Sequence, residues 1–364
     1  MNVIFDHQIF SMQKHGGISG YFFNLYKNLV DLKNIKAEIL IKYSDNSYIQ
    51  KDHFHNIPQL FQGEFRGKYR IQNFINRKVS EKILKRNIFD IFHPTYFDPY
   101  FLNFLKEKPF VLTVFDMIFE KHLLKTDQNK LISNKKVLAE RSAKIIAISE
   151  NTRKDIIEIL GIESNKIEVI GLAGDHILAE KDISSPVLNE RYILYVGNRK
   201  GYKNFTLFLE SVAPVLKEKK DLYLVCAGGG EFTEEEKLLF INEGVNSKVH
   251  FFEVDNISLS NLYKNAELFI FPSVYEGFGI PVLEAFLLNC PVLLSDTEVF
   301  REIAGDAALF FDPVNKTSIR NTITEALENK GLTDDLKEKG LERGKSFSWE
   351  KTAKQTFDLY QKLI

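Results

Sequence analysis

Apolar and polar positions alternate most plainly in the second half of the chain. Short apolar runs at Tyr192–Val196, Leu222–Ala227, Val249–Phe252, Leu268–Phe271, Pro291–Leu294 and Ala308–Phe311 read as buried strands. Between them, Phe205–Lys217, Glu234–Asn242, Leu259–Asn265 and Val282–Leu288 carry helical periodicity. Strand–helix alternation of this kind predicts a parallel, doubly wound sheet covered on both faces. The first half repeats the pattern less clearly, with strands expected at Val3–Phe5, Ala37–Ile41, Ile88–Phe92, Phe110–Val114 and Ile145–Ile148. Helices are expected over Gly20–Leu32 and Ser149–Leu160, the second opened by Ser149 as its cap.

A polar segment, Asp175–Arg191, separates the two series and carries Ser184-Ser185-Pro186. The pattern therefore predicts an α/β chain of two Rossmann-like domains: residues 1–175, a linker at 176–190, and residues 191–347. Residues 348–364 read as one amphipathic helix that follows the second domain. Two such domains are expected to face a central cleft at the carboxyl ends of their strands, where ligands bind in sheets of this type.

Composition narrows the function classes. The 364 residues are 44% hydrophobic and 27% charged, which excludes a disordered chain. Net charge is -1, which speaks against a nucleic-acid binder. The sum conceals an asymmetry. Residues 1–185 hold 27 basic and 22 acidic side chains, a net of +5, and the remainder is at -6. The densest basic stretch holds Arg66, Lys68, Arg70, Arg77, Lys78, Lys82, Lys85 and Arg86 against Glu81 alone. It reads either as a solvated helix face or as a surface for anionic lipid or a phosphate-bearing acceptor. Tyr69, Ile71, Phe74 and Ile75 interleave with the charges, as in a helix lying on a membrane. Cys226 and Cys290 sit in apolar runs as core thiols, and the start of the chain lacks the layout of a signal peptide. No apolar run approaches the ~18 residues that span a bilayer. The expected location is the cytoplasm, with any membrane contact peripheral.

Candidate chemistry concentrates where strands end. In Phe271–Ala285 (FPSVYEGFGIPVLEA), a buried strand is followed by Glu276, the turn Gly277-Phe278-Gly279, and a helix carrying Glu284. Glycines allow a ligand close to the backbone, and a helix start offers free N–H groups to an anion. Two carboxylates flanking an anion site suit a nucleotide-sugar, a diphosphate between hydroxyl-rich rings. Tyr195–Asn204 (YVGNRKGYKN) places Arg199 and Lys203 after the first strand of the same domain, as a phosphate clamp or as an ordinary loop. His15-Gly16-Gly17 follows the first strand of the chain, and Asp116 ends another, with Glu120 and His122 beyond. No Asp-x-Asp occurs, so no metal site and no metal cofactor is expected.

These segments in order resemble the family four retaining glycosyltransferases of GT-B fold, the group 1 type, and especially bacterial mannosyltransferase-like members that build surface polysaccharides. GGISGYF at 16–22, FHPTYF at 92–97, TVFDM at 113–117, AISENTRKDI at 147–156, YVGNRKGYKN at 195–204, FPSVYEGFGIPVLEA at 271–285 and FSWEKTA at 347–353 carry the likeness. The resemblance implies that Arg199 and Lys203 bind the donor diphosphate and that Glu276 contacts the transferred sugar. It implies that Gly277, Phe278 and Gly279 lie beside the donor, that Glu284 holds the ribose, and that His250–Asp255, with Val254, frames the base. Gly16 and Gly17 would close over the phosphates, and the last helix would cross back onto the N-terminal domain. Asp116 keeps a place in the catalytic set. Two departures stand out: Phe115 where a histidine is common, and Gly20 where an arginine is common.

The expected activity is transfer of a hexose, mannose first, from a nucleotide-sugar such as GDP-mannose to a lipid-linked or oligosaccharide acceptor. A nucleotide-sugar 2-epimerase and a catalytically impaired nucleotide-sugar-binding subunit are the alternatives.

Overall fold

The computed structural model describes residues 1–51, 57–60, 63, 65–121, 128–179 and 188–364. The chain divides into two compact units. The first gathers residues 1–121, 125–172 and the C-terminal 349–364; the second is essentially 173–348. Residues 180–187 of the expected linker, and His122, lie outside the described residues; 175–179 form a short 3-10 helix.

In the first unit, six parallel strands form two three-stranded sheets. They are β1 (Asn2–Phe5), β2 (Lys36–Ile39), β3 (Ile91–His93), β4 (Val111–Val114), β5 (Lys144–Ala147) and β6 (Ile167–Val169). The sheets run β2-β1-β3 and β4-β5-β6, and a single parallel bridge between Phe92 and Phe110 joins them. The order reverses direction between β1 and β3, so a crevice opens beyond their carboxyl ends.

Two expectations are corrected here. The strand expected at Ile88–Phe92 starts at Ile91, because Asn87 ends the preceding helix in a left-handed conformation and Ile88 points into solvent. β6 went unread, since three residues at a sheet edge are too few to show alternation. Ser149 does cap the helix Glu150–Leu160, its hydroxyl accepting the Thr152 N–H at 3.0 Å.

The C-terminal helix Trp349–Gln361 buries Trp349, Ala353, Thr356 and Tyr360 in the first unit. It packs on the helix Gly17–Val30, with Trp349 6.0 Å from the Tyr21 ring, and Thr352 donates to the Gly171 carbonyl at 2.8 Å.

The second unit holds one six-stranded parallel sheet. Its strands are β7 (Arg191–Val196), β8 (Leu222–Ala227), β9 (Val249–Phe252), β10 (Leu268–Phe271), β11 (Val292–Ser295) and β12 (Leu309–Phe311). The order β12-β11-β10-β7-β8-β9 is the doubly wound Rossmann arrangement, with its switch point between β7 and β10. The strands read as continuous apolar runs because helices cover both faces; Ile193, Leu224, Ile270 and Leu293 are fully buried.

Candidate functional site

The two loops that leave the switch point of the second unit carry its charged pair. After β7, Gly197 turns the chain with φ 122°, and a 3-10 turn, Gly201–Lys203, delivers Lys203. After β10, Pro272–Gly279 delivers Glu276. A backbone bond from Val274 N–H to the Tyr202 carbonyl, 2.8 Å, ties the loops together. Lys203 Nζ lies 2.5 Å from Glu276 Oε1, and both side chains are mostly buried. The ammonium also sits 5.1 Å from the Phe271 ring centre.

Gly279 (φ 128°) opens the helix Ile280–Leu287. A Cβ there would stand 3.3 Å from Phe300 and from Val282, so only glycine fits both the dihedral and the space. Gly277 and Phe278 are buried. The Phe278 ring packs edge-on against Phe347 at 5.9 Å, which leaves its backbone, not its side chain, to the crevice. Glu284 is buried one turn into the helix. Its Oε2 accepts from the Tyr263 hydroxyl at 3.1 Å, and its Oε1 lies 3.3 Å from His176 Nε2. Burial, with the Glu284 charge beside it, pushes the Tyr263 phenol well above its ordinary value and keeps it a donor. Neither Tyr263 nor His176 was foreseen; both lie far from Glu284 in sequence. Val254 is half-buried in the loop after β9.

Arg199 is a correction. Its guanidinium is buried and occupied by the protein itself. Nε donates to Glu236 Oε1 at 2.8 Å, Nη1 to the Gly228 carbonyl at 3.0 Å, and Nη2 to the carbonyls of Gly230 and Glu231 at 2.7 and 3.0 Å. It stacks on Phe232 at 4.9 Å. Gly228, Gly229 and Gly230 all take positive φ, a turn whose outward carbonyls need a planar, multidentate donor. Arg199 therefore fastens this turn to the loop after β7; Lys203 is the cation of the pair that presents its charge at the crevice.

In the first unit, Gly16 precedes the helix Gly17–Val30, and a Cβ on it would meet Gln13 Oε1 at 2.5 Å, while Gly17 is open. A Cβ on Gly20 would meet the Tyr48 hydroxyl at 2.9 Å; Tyr48, stacked on His15 at 5.0 Å, fills that space. Asp116, half-buried, accepts the Ile118 N–H at 3.1 Å and so caps its own turn. Phe115 is buried edge-on to Tyr21 at 5.1 Å, an aromatic core contact. His93 is fully buried between the Tyr360 hydroxyl (2.6 Å) and Thr113 Oγ1 (2.9 Å). Burial depresses its pKa to about 3, so it is neutral at physiological pH. In the same unit, Lys135 and Glu120 form a buried ion pair at 2.9 Å that composition did not announce.

The basic stretch forms the helix Lys68–Arg86, and its pattern is inverted. Lys68, Gln72, Asn76 and Ser80, four apart, face inward. Lys68 pairs with Asp45 at 3.0 Å, and Asn76 receives the N–H groups of Lys42 and Tyr43 at 3.0 Å each. Lys68 thus leaves the surface set. Arg66, Arg70, Lys78, Lys82, Lys85 and Arg86 are exposed, with Tyr69, Ile71 and Phe74 among them; Phe74 is 61% exposed. Arg77 is half-exposed and bonded to Glu81. No helix among the described residues is long and apolar enough to cross a membrane.

Two family models match consecutive halves of the chain. Residues 15–173 match Glycosyltransferase Family 4, and 178–343 match Glycosyl transferases group 1. The chain thus carries a family 4 and a group 1 glycosyltransferase domain in sequence. It is 30% identical to O-antigen chain mannosyltransferase B of Escherichia coli over 61% of each chain. It is 29% identical to O-antigen chain mannosyltransferase RfbU of Salmonella typhimurium over 52% of each. The matches thus span between half and two thirds of those relatives. The solved sucrose-phosphate synthase of Thermosynechococcus elongatus shares the GT-B fold over all of this chain and 99% of its own, with TM-score 0.77 and 17% identity.

Proposed function

We propose that the chain is a retaining hexosyltransferase that moves mannose from a nucleotide-sugar to a lipid-linked or oligosaccharide acceptor in surface polysaccharide synthesis. The Lys203–Glu276 pair at the switch point carries this reading. In the free protein each charge satisfies the other. A nucleotide-sugar offers an anion to Lys203 and hydroxyl donors to Glu276, so it can replace both partners at once. The mannosyltransferase relatives supply the choice of sugar and the glycan context.

Transfer requires the bond from sugar C1 to the diphosphate to break, which builds negative charge on the leaving oxygen. Lys203 and the helix start at Gly279 supply fixed positive charge there. The acceptor hydroxyl bonds to C1 on the face the diphosphate leaves, and its proton passes to the departing phosphate oxygen. Configuration is retained. We read this charge balance as needing no divalent ion, so EDTA should leave the rate unchanged. The exposed Tyr69, Ile71 and Phe74 among exposed cations make the helix Lys68–Arg86 the element that would lie on an anionic membrane.

The test is transfer from labelled GDP-mannose to a polyprenyl-diphosphate-linked oligosaccharide, with the anomer assigned by NMR. An α-linked product supports the reading. An isomerised nucleotide-sugar without acceptor would make the chain an epimerase, and tight donor binding without turnover a binding subunit.

A further inference from the structure

Glu284 is held by two side chains that the transfer step does not use. Tyr263, from the helix Asn256–Asn265, donates its hydroxyl to Oε2 at 3.1 Å. The Tyr263 ring is fully buried and packs edge-on against Phe269 at 5.3 Å, so this donor has a fixed place. His176 Nε2 stands 3.3 Å from Oε1, and an imidazole nitrogen facing a carboxylate carries its hydrogen there. Both side chains of the His176–Glu284 pair keep some exposed surface, so the pair borders solvent.

The backbone brings His176 to this place. It sits on the short 3-10 helix Asp175–Ala179, just inside the second unit. Gly174, one residue earlier, lies close against the helix Ile280–Leu287. A Cβ on it would stand 2.8 Å from Leu283 Cβ and 3.0 Å from the Glu284 nitrogen. On its other side the turn is tied down by Ile177, which is buried and whose carbonyl accepts from Ser260 Oγ at 3.4 Å. The turn is thus pinned between the helices that carry Tyr263 and Glu284. Two donors from separate elements fix the plane of the carboxylate. Each oxygen has two acceptor sites, so one on each stays open. Two open acceptors side by side match two adjacent hydroxyls of one ring. With a diphosphate at the helix start and the transferred sugar at Glu276, the ring that falls to Glu284 is the ribose, whose 2′ and 3′ hydroxyls are adjacent and on one face.

We infer that His176 and Tyr263 are positioning residues that set Glu284 to accept both ribose hydroxyls, and so make the site prefer ribonucleotides to their deoxy forms. The inference rests on the nucleotide-sugar reading for the ring at Glu284, and not on transfer to any acceptor. The test is calorimetric titration of the full chain with GDP and with 2′,3′-dideoxy-GDP. The wild type should bind GDP at least tenfold more tightly. His176→Ala should lose about tenfold of GDP affinity and less than twofold of dideoxy-GDP affinity, and His176→Gln, which keeps an N–H at similar reach, should recover most of the loss. Tyr263→Phe, which keeps the ring, should behave as His176→Ala does. In a Glu284→Gln background, His176→Ala should change neither affinity further, because it acts through that carboxylate. A wild type without ribose preference, an equal loss for both nucleotides in His176→Ala, or a full His176 effect in the Glu284→Gln background overturns the inference. Mannosyl transfer by a wild type that shows any of these would leave the proposed function standing. Ribose preference that depends on His176, without transfer, would leave the inference standing alone.

Discussion

The two crevices of this chain are built on the same topological rule and filled in opposite ways. Between β7 and β10 the loops carry a charged pair, Lys203 and Glu276, beside a helix start. Between β1 and β3 the one carboxylate at the floor, Asp6, is saturated by neighbours, and the space above it is lined by tyrosines and amides with a looser ion pair, Arg77 and Asp98 at 3.8 Å. Charge that a ligand must displace suits an anionic donor. Neutral dipoles and ring faces suit hydroxyls. The difference teaches that position in an α/β sheet says where a ligand binds, and side-chain charge says which kind.

The largest effect expected falls on the charged crevice. Lys203→Ala and Glu276→Gln should each lower kcat by roughly a thousandfold, because each removes a group acting on the breaking bond or the sugar it releases. The double variant should be little worse than either single one, as for residues that act as a unit. Single-turnover transfer assays check this, and a rate within tenfold of wild type in either variant breaks the assignment.

Next is stability in the first unit. Glu120→Gln strands the buried Lys135 ammonium, and breaking a buried pair costs about 3–5 kcal/mol. Replacing both residues with Leu and Met should restore most of that loss in urea melts. A loss from the pair as large as from the single change would mean that packing, not charge, holds this region.

Arg199 sharpens the comparison further, since it stands at the charged crevice without serving it. Arg199→Lys keeps the charge but cannot reach four acceptors, so it should cost about 2 kcal/mol of stability. Donor affinity should change far less than in Lys203→Ala. The opposite pattern, normal stability with lost donor binding, would restore Arg199 to the diphosphate.

That residue also marks how far the sequence could be read. The strand–helix alternation of the second unit was legible because each strand is a continuous apolar run, and E-x7-E announced its carboxylates by flanking glycines. What the sequence could not show was competition for a side chain. Arg199 is taken by carbonyls of a turn 29 residues away, and Glu284 by Tyr263 and His176. In the helix Lys68–Arg86 the usual rule ran backwards. Its inward stripe is polar because the loop at 42–45 brings backbone N–H groups and a carboxylate that need partners, so Asn76 and Lys68 go inside and Phe74 outside. The neutral crevice left no motif, because its ring and amide residues come from separate segments.

A smaller effect tests the neutral half of the comparison through pH. His93 is held at about 3 against its ordinary 6.5, so between those values the unfolded chain binds a proton that the folded chain refuses. The stability this contributes is whole above about pH 6.5 and is lost as pH falls, by about 1.4 kcal/mol per unit at full slope. His7, lowered in the same direction by burial, adds to that limb. His93→Gln should flatten it when urea midpoints are followed from about pH 7 to about pH 4.5. An unchanged slope would place the acid sensitivity on His7 or the carboxylates.

The smallest effect concerns the outer face of the helix that walls the neutral crevice. Exposed cations near an anionic surface contribute about 1 kcal/mol each, less as salt rises. Reversing Arg70, Lys78 and Lys82 to glutamate should therefore weaken binding to phosphatidylglycerol vesicles steeply at low salt and little at high salt. Phe74→Ser should weaken it at both, since burial of an apolar ring is not screened. The two changes separate a membrane helix from a solvated one. A face that merely stays in water gives no vesicle binding in the wild type, and one that binds by charge alone is indifferent to Phe74.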